Sequence, residues 1–266
     1  MRSRVARVIF AIAVAALVAP AHAGRSCESH KPSLSSITRG LSLAQKTAQA
    51  LDASGANVVL LARAGQDLTS YGLRYSHLGF AYRAPTPDGS YVWRVVHKLN
   101  QCGTAEASLY RQGLGEFFLD DPWRYEAAWV ALDTGAQARL LPLLQDNDQS
   151  VVMHIKPYNM VSYAWGLRYQ QSNQWALETL AQAVEPTAVS REQAQDWLRS
   201  KGYLPTTLKI GALTRLGGRM TAANVAFDDH PPERRFSDKI DTVTVDSVFS
   251  WLSQSGLGGT VNVVRE

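Results

Sequence analysis

The residues in this sequence best suited to chemistry are two histidines, His77 and His97, and a serine, Ser172. His77 opens a short run, His77-Leu78-Gly79-Phe80-Ala81-Tyr82, whose side chains alternate in size. Alternation of period two puts Leu78, Phe80 and Tyr82 on one face of a strand and His77, Gly79 and Ala81 on the other. The large face reads as core. The other face, a histidine followed by two tiny residues, reads as a floor with room above it. An imidazole there is a usable general base, because its ordinary pKa lies near neutrality. It serves equally well as a ring that hydrogen-bonds across a hairpin.

The second histidine lies on the return strand, Tyr91 to Leu99. The turn Ala84-Pro85-Thr86-Pro87-Asp88-Gly89 joins the two strands, since its prolines and Asp-Gly force a reversal. Pairing across that turn brings His97 opposite His77 or a near neighbour, where it could orient the first ring as the third member of a triad does. The alternative for His97 is a solvent-facing end of the sheet. Ser172 begins a helix, Ser172 to Val184, stopped by Pro186. A hydroxyl there sees free backbone N–H groups and the positive end of the helix dipole, which favour a developing oxyanion. Serine is also a preferred N-cap, so a purely structural role is open.

Other elements must hold these parts. Pro32 to Ser54 reads as an amphipathic helix, Asn57 to Ala62 as a buried strand, and Tyr125 to Leu132 as a third strand. Asn100 to Asp121 reads as a loop with a short helix around Leu109 to Leu114. Gly135 to Leu144 and Ser190 to Ser200 read as helices, the latter with a capping-box pattern at Ser190 and Gln193. Tyr158 to Tyr169 shows no clear period. Asp241 to Thr244 looks like a strand, Val243 to Leu252 a helix, and Thr260 to Val264 closes the chain. Together these predict an α+β fold, a small antiparallel sheet packed on helices.

The first 23 residues read as a secretory signal peptide: Arg2, Arg4 and Arg7, then the apolar run Val8 to Val18, then Ala21-His22-Ala23. Residues 24–266 are then one α+β domain with a helical C-terminal extension, periplasmic or secreted, with no transmembrane anchor. The full chain has 27 basic and 23 acidic side chains. Without the three leader arginines the balance is nearly even, and no lysine-rich stripe points to nucleic acid. Only two cysteines occur, Cys27 and Cys102. In an oxidising compartment they read as one disulfide; a free Cys102 acting as nucleophile is the sharper alternative. No metal-ligand spacing, phosphate loop or Gly-x-Ser-x-Gly elbow is present, so no metal or cofactor is expected.

The order of parts resembles a known group. Ser76-His77-Leu78-Gly79 at a strand start, a polar residue (His97) on the next strand, and a later helix start at Gln171-Ser172-Asn173-Gln174-Trp175 resemble the circularly permuted NlpC-like, papain-related superfamily. That resemblance implies a papain-like architecture and acyl chemistry on an amide or ester. Ser172 would be nucleophile, His77 base and His97 orienting group, with Tyr75, Tyr163, Trp165 and Trp175 lining the cleft. Serine stands where that superfamily has cysteine, and needs more activation than a thiol. A peptidoglycan fragment, a lipid acyl group or another small molecule is the implied substrate. The rival implication is a non-catalytic periplasmic binding or envelope-associated protein that keeps the cleft. Gln66-Asp67-Leu68, Tyr75 to Phe80, His97 to Gly103 and Ser172 to Trp175 also resemble an uncharacterised family of exported bacterial proteins.

Overall fold

The computed structural model describes residues 31–266. The expected signal peptide and Cys27 lie outside the described residues. The fold is α+β. Its main sheet has six strands, all paired antiparallel. In chain order these are β1 (Val58–Ala64), β2 (His77–Pro85), β3 (Tyr91–Asn100), β4 (Ala107–Gly113), β5 (Arg124–Ala131) and β8 (Asn262–Arg265), arranged β4-β3-β2-β1-β5-β8. A second, two-stranded antiparallel sheet pairs β6 (Thr206–Lys209) with β7 (Lys239–Thr242).

Helices cover both faces of the sheet. Leu60, Ala62, Leu78, Phe80, Tyr82, Val96 and Val130 face one core, shared with α3 (Thr134–Gln145), α5 (Ser172–Val184), α6 (Arg191–Ser200) and α9 (Val245–Ser255). The large-residue face of β2 is therefore core, as its pattern predicts. Val59, Leu61, Ala81, Val95 and Trp129 face a second core, closed by α1 (Leu34–Ala53) and the short α2 (Leu114–Phe118). The small-residue face of β2 is thus not an open floor. It packs under α1 and α2, and the space over Gly79 is filled by its neighbours.

Local chemistry sets the boundaries. Ser33 caps α1 by accepting from Ser36 N, and Ser190 caps α6 by accepting from Gln193 N. Gly89, at a positive φ of 83° that glycine adopts without strain, completes the β2–β3 turn. The segment Ala107 to Gly113 corrects the expected loop and helix: it is a strand, paired along its length with β3, and the helix begins only at Leu114. Consecutive polar residues, Arg111 and Gln112, and only partial burial on either face hide the strand pattern. The chain's end also departs from a helical extension, since β8 joins the main sheet beside β5. Tyr158 to Tyr169 contains no helix or strand. Among the described residues no helix is long and apolar enough to cross a membrane.

Candidate functional site

The β2–β3 register pairs Phe80 with Val96 and Ala81 with Val95. Continued by one residue, it puts His97 opposite Gly79, two residues along from His77. A Cβ on Gly79 would lie 3.0 Å from His97 Cβ and 2.8 Å from Val95 Cγ1. The missing side chain therefore makes the slot through which the His97 ring crosses toward His77. The rings meet edge to face with centroids 5.1 Å apart, and Phe117 of α2 packs on both.

Four side chains then form a line. Ser172 Oγ is 3.1 Å from His77 Nδ1. His77 Nε2 is 2.9 Å from His97 Nδ1, and His97 Nε2 is 2.7 Å from Gln112 Oε1. The direction of the line follows from its far end. An amide oxygen only accepts, so His97 Nε2 carries the proton and its Nδ1 accepts. His77 Nε2 must then donate, which leaves His77 Nδ1 as an acceptor facing Ser172. The serine hydroxyl donates its one proton to a ring held ready to take it.

Both rings are neutral. Burial pushes the His77 pKa well below its ordinary value, helped by the Arg63 guanidinium and by His97. Burial and Arg63 bring His97 down to about 4. Arg63 reaches them from β1, where it pairs with His77 across the strands, lies over the Phe117 ring, and hydrogen-bonds Phe117 O and Asp120.

Ser172 is not the N-cap of α5. That position belongs to Gln171, whose side chain makes no cap bond. The serine is the first helical residue, and its hydroxyl is turned to His77. The ladder of α5 begins with Trp175 N donating to Gln171 O at 3.1 Å, so the N–H groups of Ser172 and Asn173 precede it at the helix's positive end. Tyr158 lies beside Ser172; burial raises its phenol to about 12, and the serine pulls the other way.

The run Gln170-Gln171-Ser172-Asn173-Gln174 is buried throughout, and each amide is a fixed clamp. Asn173 grips the backbone on both sides of His77: its Oδ1 accepts from Leu78 N at 2.9 Å, and its Nδ2 donates to Ser76 O at 3.5 Å. Gln174 Nε2 holds Ala164 O and Gly166 O, while Gln171 Nε2 holds Val243 O and Thr242 Oγ1. Five consecutive polar residues running into the start of α5 are a signal the sequence carried. Gln112 and Tyr158 carried none, one lying on an edge strand and the other in irregular chain.

The four aromatics expected to line a cleft each pack or bond with other partners. Trp175 is fully buried against Phe80, and Tyr75 donates to Glu126 Oε1 at 2.6 Å. Tyr163 packs on His230, and Trp165 on Tyr203. Cys102 occupies an exposed turn after β3. Its expected pairing with Cys27 involves a residue outside the described ones. Among the described residues, no three His, Cys, Asp or Glu side chains are placed to hold a metal ion.

The model of a family described as an uncharacterized protein conserved in bacteria (DUF2145) matches residues 50–252, a span holding all four members of the line. No curated protein and no solved structure matches this chain. The chain belongs to the DUF2145 family.

Proposed function

We propose that this member of an uncharacterized bacterial family is an exported hydrolase or acyltransferase acting on an amide or ester, with a papain-like, permuted NlpC-like arrangement in which Ser172 replaces the usual cysteine. The observation that carries this reading is the directed line Ser172–His77–His97–Gln112. In the first half-reaction, Ser172 Oγ attacks the acyl carbon as its proton passes to His77 Nδ1. The carbonyl oxygen becomes an oxyanion beside the first N–H groups of α5. His77 then returns the proton to the departing amine or alcohol, leaving an acyl-serine. Water, activated by the same ring, completes hydrolysis; an acceptor alcohol or amine completes transfer. His97 and Gln112 hold the tautomer that makes the first step possible. A peptidoglycan stem peptide and a lipid acyl ester are the substrate classes that suit the expected compartment, and a Cys27–Cys102 disulfide suits it too.

One observation favours a second reading. Ser172 and His77 are only 4% and 8% exposed, and the burial that keeps His77 neutral also makes it a weak base. A non-catalytic envelope protein that retains the arrangement for ligand binding accounts for both.

Labelling of the purified protein with a serine-reactive fluorophosphonate separates the two. The enzyme reading expects labelling of wild type, loss in Ser172→Ala and His77→Ala, and unchanged circular dichroism in both variants. Wild type that resists the probe, together with a Ser172→Cys variant that resists iodoacetamide at pH 7, rejects it.

A further inference from the structure

The helix α7 (Ala212–Thr221) is turned inside out for a surface helix. Leu213, Leu216 and Met220 are 85%, 57% and 77% exposed, while Gly218 is buried. At about 100° per residue, the three apolar side chains share one stripe, and Gly218 lies roughly 140–200° from each of them. The stripe therefore points directly away from the protein body. Phe236, 80% exposed, adds a ring on the next turn of chain after the short helix α8 (Pro232–Arg235). Arg215 ties the two segments together by donating to Arg235 O and pairing with Asp238.

The charges around this stripe are mostly basic. Six basic and four acidic residues lie between Lys209 and Lys239. Three of the acids are already engaged, Asp228 with Arg168, Asp238 with Arg215, and Asp229 with Tyr163 N and His230, while of the six bases Arg215 and Arg234 are paired, the latter with Asp241. Arg219 flanks the stripe about 60° around the helix from Leu216, and Arg235 lies over the Phe236 ring. An apolar stripe edged by arginines is the pattern of a helix lying in a membrane interface. A second copy of the chain would instead set these arginines against each other across a two-fold axis.

We propose that α7 docks on the surface of a bilayer containing anionic phospholipid, with Leu213, Leu216, Met220 and Phe236 entering the acyl boundary and Arg219 and Arg235 meeting the headgroups. The docking unit is tied to the serine site. Its core of Leu208, Ile210, Val225, Phe227 and Ile240 packs against Leu73, Met160 and Val161, and Asn224 O accepts from Met160 N at 2.8 Å. Leu73 lies four residues before His77 and Met160 two after Tyr158. Docking thus sets the orientation of both chain segments that lead to the site.

The test is cosedimentation of the purified protein with vesicles of phosphatidylglycerol and phosphatidylethanolamine, and with vesicles of phosphatidylcholine alone. Wild type is expected to pellet with the anionic vesicles and to be released by salt. Leu213→Ser/Leu216→Ser/Met220→Ser should partition at least about tenfold less. Arg219→Glu should partition several-fold less and lose part of its salt dependence. Wild type that stays in the supernatant overturns the proposal, as does a triple variant that pellets like wild type. A dimer by sedimentation velocity that the triple variant dissolves, without vesicle binding, overturns it in favour of self-association. Serine labelling is read in vesicle-free buffer, so failure of either reading leaves the other standing.

Discussion

His97 and its neighbour Lys98 lie side by side on β3, and each opens into a buried polar network on its own face of the sheet. On one side runs the line Ser172–His77–His97–Gln112. On the other, Lys98 Nζ donates to Ile155 O at 2.6 Å and Gln170 Oε1 at 2.7 Å. Gln170 donates onward to Glu178 and Met153 O, and Arg191 pairs with Glu178 through Nε at 2.7 Å while donating to Leu167 O, Gly166 O and Tyr169 O. Both networks are buried, and both shift protonation. Burial, with Arg191 nearby, lowers Lys98 to about 7. The difference is in how they end. The lysine network closes on backbone carbonyls and a carboxylate, so its donors are consumed in holding the chain before Ser172. The histidine line ends in a hydroxyl facing a ring nitrogen that accepts. Burial and a shifted pKa do not by themselves separate a scaffold from a site; the acceptor left at the end does.

The largest effect expected from breaking this contrast is on the scaffold side. Arg191→Met strands Glu178 without its cation, a change that costs about 3–5 kcal/mol. The melting temperature should fall by roughly 10 °C or more. An unchanged melting curve would remove the scaffold role.

Acid comes next, and it acts on the histidine side. The folded value of His97, about 4, lies below its ordinary 6.5, so the unfolded chain takes up the proton first. Stability present above pH 6.5 is lost as pH falls from there toward 4, by about 3 kcal/mol at a single group. Urea unfolding across that interval should show the slope, and His97→Gln should flatten it. Equal slopes in both proteins would contradict the buried neutral pair.

The smallest effect sharpens the line itself. Gln112→Leu frees His97 from its tautomer while leaving Ser172 and His77 in place. Fluorophosphonate labelling should slow by about tenfold, as expected for the loss of one orienting bond near 1–1.5 kcal/mol, with the melting temperature falling by only a few degrees. Gln112→Glu should recover the rate. A loss of stability with no loss of rate would make Gln112 merely structural.

Much of the fold was legible because its signals are local. The period-two alternation of β2, the Pro/Gly turn after it, and the Pro186 stop of α5 each act within a few residues. The residues Ser172, His77 and His97 could be named together from type and element order. Their contact depends on the register at Gly79, which a turn of uncertain length leaves open. Gln112 was out of reach because β4 is an edge strand with polar faces, so the sequence reads it as loop and helix. Trp175, expected in the cleft lining, is core for a different reason. Trp175 shares the apolar stripe of α5, and a stripe at helical spacing goes to the core.

The clasp of Asn173 on Leu78 N joins residues 95 apart in the chain, the same separation as Ser172 from His77. The β2–β3 hairpin can form early, on the timescale of local contacts, but it brings only the two imidazoles together. The helix that supplies the hydroxyl arrives after β4, β5 and α3 have been laid down, across a closure that folding reaches slowly. In the reading proposed, a partly folded chain carries a serine of ordinary reactivity. On that reading the nucleophile is switched on only by the completion of the fold, and a chain that has not yet closed it stays chemically silent.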